Sequence, residues 1–404
     1  MRILLKNGVL ITPFREIKNG GVLIEDEKIV TLFENSDEIE RYEDRLRGES
    51  KDLKVIDTEG NFISPGFIDI HTHGGGGYDF MDGDTDGMLE AVKVHMKYGT
   101  TSIIPTTLTS SLEDLFLTLD NFRNARKRCD GPELLGLHLE GPYLSIKQSG
   151  AQDPRFIRNP RPEEYLKILE YSQDIIRWTI APELPGALEL GLELKKRGIL
   201  PSIGHSDAQY EDVLKAFEYG YTHITHLYSG MSMVRRIRGY RYAGVVEGAY
   251  LIDGMTVEII ADGKHLPKSL LQLIYKIKGP DRICLITDSM RAAGMPEGEY
   301  ILGGLKTGQK VIVEDGVAWL PSKEEFAGSI ATSNRLVKIM FKVGDVPLID
   351  AIKMITSTPA RVMNIFDRKG SLSPGKDADI VVFDRDISLK LVLVKGKIKI
   401  ENSL

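Results

Sequence analysis

Cysteine and tryptophan are the scarcest residues of this 404-residue chain, with two of each. Cys129 and Cys284 lie far apart and match neither a disulfide framework nor a metal-binding CxxC pattern, so a reducing compartment is the simpler prediction. The chain has no run of about eighteen apolar residues, and its first residues lack the apolar stretch of a secretion signal. We therefore expect a cytoplasmic protein that is neither exported nor inserted into a membrane.

The chain also lacks an excess of positive charge, because 52 Lys and Arg residues face 58 Asp and Glu residues, for a formal net charge of −6. Bulk nucleic-acid binding needs a basic surface and is not expected, although a local basic site stays open. What the chain does have is apolar content, 42% of its residues. That content is enough for at least one large buried core, and it excludes a disordered or collagen-like chain.

Short strand-like segments separated by Gly, Asn and Asp occur near both ends of the chain. The stretch 36–54 is almost wholly polar and predicts a solvated helix or loop. We infer that residues 1–64 and 374–404 together form one small, discontinuous β domain. Residues 65–373 would then form a separate catalytic domain between them.

The middle of the chain alternates short apolar strands with longer segments of helical period. The eight predicted strands are GFIDIHTH, TTSIIPTTL, ELLGLHLE, IIRWTIAPE, ILPSIGHS, THITHLY, TVEIIADG and RICLITDS. After the second strand, Ser111 is followed three residues later by Asp114, which resembles a capping box at a helix start. Because every unit repeats and no GxGxxG dinucleotide fingerprint occurs, the sequence predicts an α/β fold with a (β/α)8 TIM-like barrel.

Side chains suited to metal binding lie at the ends of five of the eight predicted strands. They are His71, His73, Glu140, His205, His226 and Asp288. We expect them to meet, because the active site of such a barrel lies at the C-terminal ends of its strands. His71 and His73 are two residues apart, which places both imidazoles on one face of a strand, where they can hold one ion. Any single histidine could be an ordinary hydrogen-bonded residue, but the whole set favours a metal centre.

Seven motifs give the chain a resemblance to the amidohydrolase superfamily, and more closely to the N-acetylglucosamine-6-phosphate deacetylase family. They are PGFIDIHTHG, HLEGPYL, SIGHSDA, THLYSGM, IADGKH, TDSMRAAGMPEGEY and FAGSIATS. The resemblance implies a barrel carrying a small β-sandwich built from both termini. It also implies an enzyme of amino-sugar metabolism that forms a homodimer and uses one or two divalent ions per chain, Zn, Fe, Mn or Co.

By motif, the resemblance implies one ion held by His71 and His73 and another held by His205 and His226, with Glu140 coordinating or bridging. Some deacetylases have lost the first-strand histidines and bind one ion, but this chain keeps them, so we predict two. Many relatives in the superfamily carry a carbamylated lysine at the end of the fourth strand, and this chain has none there. That difference favours the deacetylase branch, in which a glutamate after the third strand takes the bridging role.

The resemblance also implies a catalytic residue, Asp288, which would accept a proton from the attacking water, deliver it to the departing amine and contribute to metal binding. The implied substrate-binding residues are Ala151, Gln152, Ser229, Gly230, Arg238, Arg241, Asp262, His265, Phe326, Ala327 and Gly328. The two arginines belong to a basic segment after the sixth strand, MVRRIRGYRYAG, suited to a phosphate. The alternative for these arginines is a surface loop paired with acidic residues at a subunit interface.

Three departures from the family pattern fall in segments expected to bind the substrate. Ser229 and Gly230 stand where the family has Asn-Ala, and the arginine segment differs from the usual one, so the phosphate-binding arginine is not identified. Gln152 stands at a position that is often histidine. Glutamine can still donate a hydrogen bond, but it cannot carry charge or shuttle a proton.

Three classes of function stay open at this point. The leading one is hydrolysis of N-acetylglucosamine 6-phosphate to glucosamine 6-phosphate and acetate, with N-acetylgalactosamine 6-phosphate as a competing substrate that differs by one inverted hydroxyl. A different amidohydrolase, such as a deaminase or cyclic amidase, is disfavoured by the missing lysine and by the HLEGP element. A catalytically dead scaffold is disfavoured because every implied metal ligand is present.

Overall fold

The structure is a computed structural model and describes residues 2–49 and 53–403. Residues 1, 50–52 and 404 of the predicted terminal domain lie outside the described residues. Within the described ranges, no helix combines the length and the apolar content that crossing a bilayer requires.

The first part of the chain forms a β structure with one helix. Its elements are β1 (Arg2–Ile11), β2 (Glu16–Glu25), β3 (Lys28–Phe33), α1 (Ser36–Glu49), β4 (Leu53–Asp57) and β5 (Phe62–Pro65). The long strand β1 pairs with β4 through its first half and with β5 through its second half. Helix α1 covers most of the predicted polar stretch, and its start is capped by Asn35, whose Oδ1 accepts a hydrogen bond from the backbone N of Glu38 at 2.9 Å.

Parallel strands at eight successive positions form the barrel. They are β6 (Phe67–Thr72), β9 (Thr100–Thr107), the pair β10 (Glu133–Leu134) and β11 (Leu137–Glu140), β12 (Ile175–Ile180), β13 (Leu200–Ile203), β14 (His223–Ile224), β17 (Thr256–Ile259) and β18 (Ile283–Leu285). The residues after β18 return to the first strand through a hydrogen bond from the backbone N of Asp288 to the carbonyl of His71 at 2.9 Å. The nearly closed barrel confirms the predicted (β/α)8 fold.

Two short hairpins lie in the loops between barrel strands. They are β7 (Gly74–Gly75) with β8 (Tyr78–Asp79), and β15 (Arg235–Ile237) with β16 (Tyr240–Tyr242). A helix follows each of the first seven barrel positions: α2 (Thr85–Lys97), α3 (Leu112–Arg128), α4 (Pro162–Tyr171), α5 (Ala187–Lys196), α6 (Tyr210–Glu218), α7 (Val245–Leu251) and α8 (Lys268–Lys278). A 3-10 turn, Ile146–Gln148, precedes α4. Ser111 caps α3 as predicted, because its Oγ accepts a hydrogen bond from the backbone N of Asp114 at 3.1 Å.

Burial on both faces explains why the barrel strands are so apolar. All eight residues of β9 and all four of β11 are buried, as expected for a parallel sheet that is covered by helices. The amphipathic helices pack their apolar sides onto these strands, and side chains such as Trp178, Leu190 and Phe122 join one large core. The strand ends are therefore held rigidly, which suits a site that needs precise side-chain positions.

The segment after β18 contains a small sheet that the sequence analysis did not predict. Its strands are β19 (Gly298–Leu302), β20 (Gln309–Glu314) and β21 (Val317–Trp319), and they pair antiparallel. Three helices follow: α9 (Ser333–Lys342), α10 (Leu348–Ile355) and α11 (Ser357–Val362). The small sheet packs on Met290, Ala292 and Ala327, and it therefore supports the loops that follow the eighth barrel strand.

The C-terminal strands complete the sheet that the N-terminal strands begin. They are β22 (Ile380–Phe383), β23 (Leu389–Val394) and β24 (Lys397–Glu401). Strand β22 pairs antiparallel with β5, so the sheet order is β24-β23-β22-β5-β1-β2-β3 with β4 beside β1. Both ends of the chain therefore share one β domain, as predicted, and all its strands belong to one hydrogen-bonded sheet. The division of the chain at residues 64 and 374 stays a prediction.

Candidate metal centre and substrate cavity

The six residues predicted to form a metal centre meet at the C-terminal end of the barrel. Two come from β6 and its end, one ends β11, and the others follow β13, β14 and β18. All six are buried: His71, His73, Glu140, His205, His226 and Asp288. Their convergence follows from the parallel sheet, because every strand presents its last residues at the same rim.

The first group of side chains comes from the first, third and last barrel positions. Nε2 of His73 lies 3.1 Å from Oδ1 of Asp288 and 3.3 Å from Oε2 of Glu140. Nε2 of His71 lies 3.3 Å from the same Oδ1 of Asp288. The ligand atoms of His71, His73 and Glu140 all lie within 4.8 Å of one another, which is close enough to surround a single ion.

The second group shares Glu140 with the first. Its Oε1 lies 2.8 Å from Nε2 of His226 and 3.2 Å from Nε2 of His205. Ligand atoms of Glu140, His205 and His226 also lie within 4.8 Å of one another. Glu140 therefore lies between the two pairs of histidines, in the position that a bridging carboxylate requires.

The Nδ1 atoms of two histidines, which point away from the centre, have hydrogen-bond partners that orient the rings for metal binding. Nδ1 of His205 lies 2.8 Å from the backbone carbonyl of Gln148, and Nδ1 of His71 lies 3.1 Å from Oε2 of Glu258. An acceptor at Nδ1 holds the proton there and leaves the lone pair of Nε2 directed at the centre, as in metal-binding histidines. Four imidazoles and two carboxylates are ligands that suit Zn, Fe, Mn or Co.

Backbone conformation at the site is unusual for residues other than glycine. His205, His226 and Asp288 have φ values of 47°, 28° and 46°. Residues with a Cβ rarely adopt this left-handed backbone conformation. Where they do, the surrounding structure compensates for the energetic cost. Three candidate ligands therefore occupy costly conformations that direct their side chains toward the same point.

The electrostatic environment of the centre favours a bound cation. Burial lowers the pKa of His71, but the Asp288 and Glu140 carboxylates outweigh it and raise that pKa to about 9. In the same way, burial is outweighed at His73 by hydrogen bonds to Asp288 and Glu140, which raise its pKa to about 10. The carboxylates thus hold positive charge on the imidazoles. A bound divalent ion would supply that charge in place of the protons.

The centre lies at the base of a cavity of about 380 Å³. Seven of the predicted substrate-binding residues line it: Ala151, Gln152, Ser229, Gly230, His265, Phe326 and Gly328. Further lining comes from residues that the sequence analysis did not name, including Leu108, Lys147, Gln148, Tyr228 and Leu302. A cavity of this size is suitable for one small molecule beside the metal-binding residues.

Asp262 and Ala327 lie behind the cavity wall rather than in it. Oδ2 of Asp262 lies 2.8 Å from Nδ1 of His265, so Asp262 orients that imidazole toward the cavity. The ring of His265 also packs against Phe326, with 4.8 Å between the ring centroids. Ala327 is fully buried in the apolar cluster beneath the small sheet.

Arg238 and Arg241 are the predicted site residues that the structure keeps apart from the cavity. They lie on the exposed hairpin formed by β15 and β16, and neither lines the cavity of its own chain. Arg235, at the base of the hairpin, donates a hydrogen bond to Oδ1 of Asp207 at 2.9 Å. The base of the hairpin is therefore fixed to the barrel, while Arg238 and Arg241 are exposed.

Two charged residues beneath the centre were missed by the sequence analysis. Glu258 lies within β17 and Arg177 within β12, and both are fully buried inside the barrel. They form an ion pair. The available signal was a single charged residue in the middle of an otherwise apolar strand, which is rare unless the charge has a partner.

Comparisons with known proteins agree with the motifs of the sequence. Residues 62–399 match the amidohydrolase family. An N-acetylglucosamine-6-phosphate deacetylase of Lysinibacillus sphaericus is 37% identical over 357 residues, covering 86% of this chain and 88% of the relative. An N-acetylgalactosamine-6-phosphate deacetylase of Escherichia coli O157:H7 is 33% identical over 353 residues, covering 86% of this chain and 90% of the relative.

A solved structure extends the similarity to the whole fold. It is a mutant N-acetyl-D-glucosamine-6-phosphate deacetylase from Mycobacterium smegmatis in complex with N-acetyl-D-glucosamine-6-phosphate. This chain superposes on it with a TM-score of 0.87 and 29% sequence identity, covering 98% of this chain and 99% of the other. The resemblance inferred from the motifs is therefore confirmed, together with the barrel and the terminal β domain.

Proposed function

This chain belongs to the amidohydrolase family, among its N-acetylglucosamine-6-phosphate deacetylases, and we propose on that basis that it hydrolyses N-acetylglucosamine 6-phosphate. Water and the amide give glucosamine 6-phosphate and acetate. The observation that carries the proposal is the meeting of four histidines, Glu140 and Asp288 at the base of one cavity. That arrangement places an amide-hydrolysing centre within reach of a molecule the size of a sugar phosphate.

We propose that the centre holds two divalent ions, with Glu140 between them. A divalent ion bound here would polarise the amide carbonyl and lower the pKa of a water molecule toward about 7. The two groups of ligand atoms that share Glu140 support this number of ions. Imidazole and carboxylate ligands do not select among Zn, Fe, Mn and Co.

Asp288 is the proposed acid and base of the reaction. Its Oδ1 lies within 3.3 Å of both first-strand imidazoles, and the residue lines the cavity. A carboxylate in this place can accept the proton of the attacking water at one oxygen and deliver it to the departing nitrogen. The strained backbone at Asp288, with a φ of 46°, supports a position that is fixed for this task.

Binding of the sugar phosphate is assigned to the rim of the cavity. His265 is held by Asp262 and Phe326, so its Nε2 is available to an oxygen of the substrate. Ser229 and Gly230 line the wall at the place where the family has Asn-Ala. Polar groups in fixed positions on a pocket wall are what orients a small substrate.

A homodimer would explain the position of the arginine hairpin. Its arginines do not line the cavity of their own chain, so contact with the phosphate requires the hairpin of a second subunit. The hairpin also exposes apolar and aromatic side chains, with Tyr240 74%, Ile237 41% and Tyr242 37% exposed. Exposed aromatic residues beside arginines are typical of protein interfaces.

A cytoplasmic location is proposed from the cysteines. Cys129 and Cys284, the two cysteines of the chain, are both free thiols in the described structure. Free thiols without a disulfide are usual in reducing compartments. Alkylation of the protein isolated from cells, before any reduction, should modify Cys129 if its thiol is free there.

The galacto epimer is the second candidate substrate, and the 33% identity to a deacetylase named for it is the observation that favours it. The test is the initial rate of amine release by metal-loaded protein from three sugars: N-acetylglucosamine 6-phosphate, N-acetylgalactosamine 6-phosphate and unphosphorylated N-acetylglucosamine. The proposal expects the highest kcat/KM with the first and a loss of at least about tenfold without the phosphate. A higher kcat/KM with N-acetylgalactosamine 6-phosphate would make that sugar the substrate. Absence of amine release from all three sugars would contradict the proposal.

A further inference from the structure

A buried ion pair lies one layer below the metal-binding side chains. Glu258 and Arg177 are both fully buried inside the barrel, and Oε1 of Glu258 contacts Nη1 of Arg177. The guanidinium donates three further hydrogen bonds, to the carbonyl of Ile70 at 3.2 Å, Oγ of Ser202 at 3.0 Å and Oγ1 of Thr225 at 2.9 Å. Arg177 is therefore fixed, and it holds the carboxylate of Glu258 in one position.

The second oxygen of Glu258 faces the metal centre. Oε2 lies 3.1 Å from Nδ1 of His71 and accepts a hydrogen bond from the backbone N of His226 at 3.3 Å. An ionised carboxylate only accepts hydrogen bonds, so Nδ1 of His71 must carry the proton in this contact. The lone pair of Nε2 is then directed at Glu140 and Asp288, which is the orientation that a metal ligand needs.

His71 differs in this respect from the other three candidate histidines. Nδ1 of His205 is held by a backbone carbonyl, which is neutral. Nδ1 of His73 and Nδ1 of His226 are buried and have no hydrogen-bond partner in the part of the chain that the structure describes. Within this part, His71 is the candidate ligand whose outer nitrogen meets a buried charge.

We propose that Glu258 is a positioning residue for the ion of His71 and His73, and that Arg177 holds its carboxylate in the required orientation. This inference rests on the proposed two-ion centre. Glu258 acts through His71, by fixing its tautomer and ring orientation, and touches no substrate. Loss of such an outer partner lowers metal affinity by about 10- to 100-fold in other metal sites.

The alternative is that the pair only stabilises the barrel. A structural role predicts that its removal lowers global stability and weakens both ions together. A positioning role predicts a split, in which the ion of His71 and His73 is weakened more than the ion of His205 and His226, because Glu258 meets the imidazole of His71 but only the backbone N of His226. Metal stoichiometry therefore separates the two roles without any measurement of activity.

Two variants test the split. The double variant Arg177→Met/Glu258→Leu removes the acceptor without leaving a buried charge unpaired, and such apolar replacements of buried pairs are often tolerated. The isosteric variant Glu258→Gln keeps the side-chain volume and a weaker hydrogen-bond acceptor. If the double variant does not unfold cooperatively, the same measurement is made on Glu258→Gln. Glu183→Gln is the matched control, because Glu183 follows β12, the strand that contains Arg177. In the described structure it accepts hydrogen bonds from Ser206 and the backbone N of Asp207 and contacts none of the six candidate ligands.

The measurement is the number of zinc ions per chain after dialysis at a series of buffered free zinc concentrations, with thermal unfolding in parallel. Wild type and the Glu183→Gln control are expected to bind two ions. The double variant is expected to bind one ion about 10- to 100-fold more weakly and the other with a clearly smaller loss of affinity, with Glu258→Gln between it and wild type. Equal weakening of both ions, or two ions at wild-type affinity, overturns the role of Glu258. A wild type that never exceeds one ion overturns the two-ion centre and the inference together.

Discussion

Nε2 of Gln152 donates a hydrogen bond to Oε2 of Glu140 at 2.7 Å. The orientation of this amide is defined, because Oε1 of Gln152 accepts a hydrogen bond from the backbone N of Thr109 at 2.8 Å. A residue that the motifs assign to the substrate therefore also holds the carboxylate shared by both groups of metal ligands. Because the Gln152 side chain is neutral, it stabilises the negative charge of Glu140 without neutralising it.

Replacing Gln152 by alanine tests this contact. A hydrogen bond to a charged group contributes about 1.5–3 kcal/mol, so Gln152→Ala is expected to lower kcat/KM by about 10- to 100-fold. The control is Gln148→Ala, because the Gln148 side chain also lies at the cavity but bonds Asp207 and no metal ligand. Steady-state kinetics on metal-loaded protein make the comparison. Equal effects of the two substitutions would argue against a special role for Gln152.

Gly230 is expected to tolerate no side chain. It has a φ of 55°, and a Cβ there would lie 2.9 Å from Nδ1 of His205 and 3.1 Å from the carbonyl of Gln148. Gly230→Ala should therefore displace His205 and weaken the ion that this histidine holds. Gly198→Ala shares the unfavourable φ, 72°, but nothing lies within 4 Å of its Cβ.

Both glycine variants should lose about 1 kcal/mol of stability or more from backbone strain, measured by thermal unfolding. Zinc content at limiting free metal should fall only in Gly230→Ala. Normal zinc affinity in Gly230→Ala would contradict this prediction, because the added methyl group would then be accommodated without displacing His205.

The candidate metal-binding residues could be predicted from the sequence because each lies at or just after the end of an apolar strand, and parallel strands in a barrel end at one rim. The strand ends therefore name Glu140 and His205 without any knowledge of the loops. The small sheet β19–β21 and the exact path of the arginine hairpin could not be predicted in this way. Their positions depend on packing between distant segments, which leaves no periodic pattern in the chain.

Glu258 and Arg177 were missed for a related reason. Each is a single charged residue inside an apolar strand, TVEI for Glu258 and IIRWTI for Arg177. Its role depends on which side chains of the other strands it contacts. Periodicity indicates a buried strand but does not pair residues across the barrel. For Arg238 and Arg241 the sequence and the structure differ in another way. The family resemblance implies contact with a phosphate, whereas the structure has both residues on an exposed hairpin. The proposed dimer, in which the hairpin of one chain reaches the cavity of the other, would reconcile these observations.

A mixed dimer tests the hairpin directly. Arg238→Ala/Arg241→Ala keeps an intact centre, and Asp288→Asn keeps an intact hairpin, so each homodimer should be nearly inactive toward the phosphorylated sugar. Refolding the two variants together should restore activity to a fraction of the dimers, because one centre then receives the hairpin of the other chain. The measurement is kcat/KM of the refolded mixture against each variant refolded alone.

Two results would contradict this account. Activity of the mixture equal to the sum of the separate variants would exclude a shared site. A molar mass of one chain at all concentrations, from light scattering, would exclude the dimer. The unphosphorylated sugar is the control substrate, since loss of the arginines should change its turnover by less than about twofold.

Acid should weaken a contact between the barrel and the segment that leads to β22. Burial raises the pKa of Glu133, but the hydrogen bond from Arg368 and the charge of Lys369 outweigh it and lower that pKa to about 2. The distances are 2.6 Å to Nη2 of Arg368 and 3.0 Å to Nζ of Lys369. Because the folded pKa lies below the ordinary value of 4.5, this stabilisation is complete above about pH 4.5 and is lost as the pH falls toward 2.

The variant Glu133→Gln should therefore lower the free energy of unfolding by about 1–3 kcal/mol at pH 7, with a smaller difference at pH 3.5. Urea unfolding at the two pH values measures this. Glu401→Gln is the control, because its pair with Lys54 is exposed and is expected to contribute less than about 1 kcal/mol. A difference for Glu133→Gln that stays constant between pH 7 and pH 3.5 would contradict the assignment.

The central claim is that the cluster at the strand ends is a metal-dependent deacetylation centre with Asp288 as its acid and base. The most direct measurement is amine release from N-acetylglucosamine 6-phosphate by wild type and by Asp288→Asn, each with its metal content determined. We predict turnover by wild type and a loss of about 100-fold or more in Asp288→Asn, with substrate binding retained. A near-normal rate in Asp288→Asn, or no amine release by metal-loaded wild type, would contradict the account.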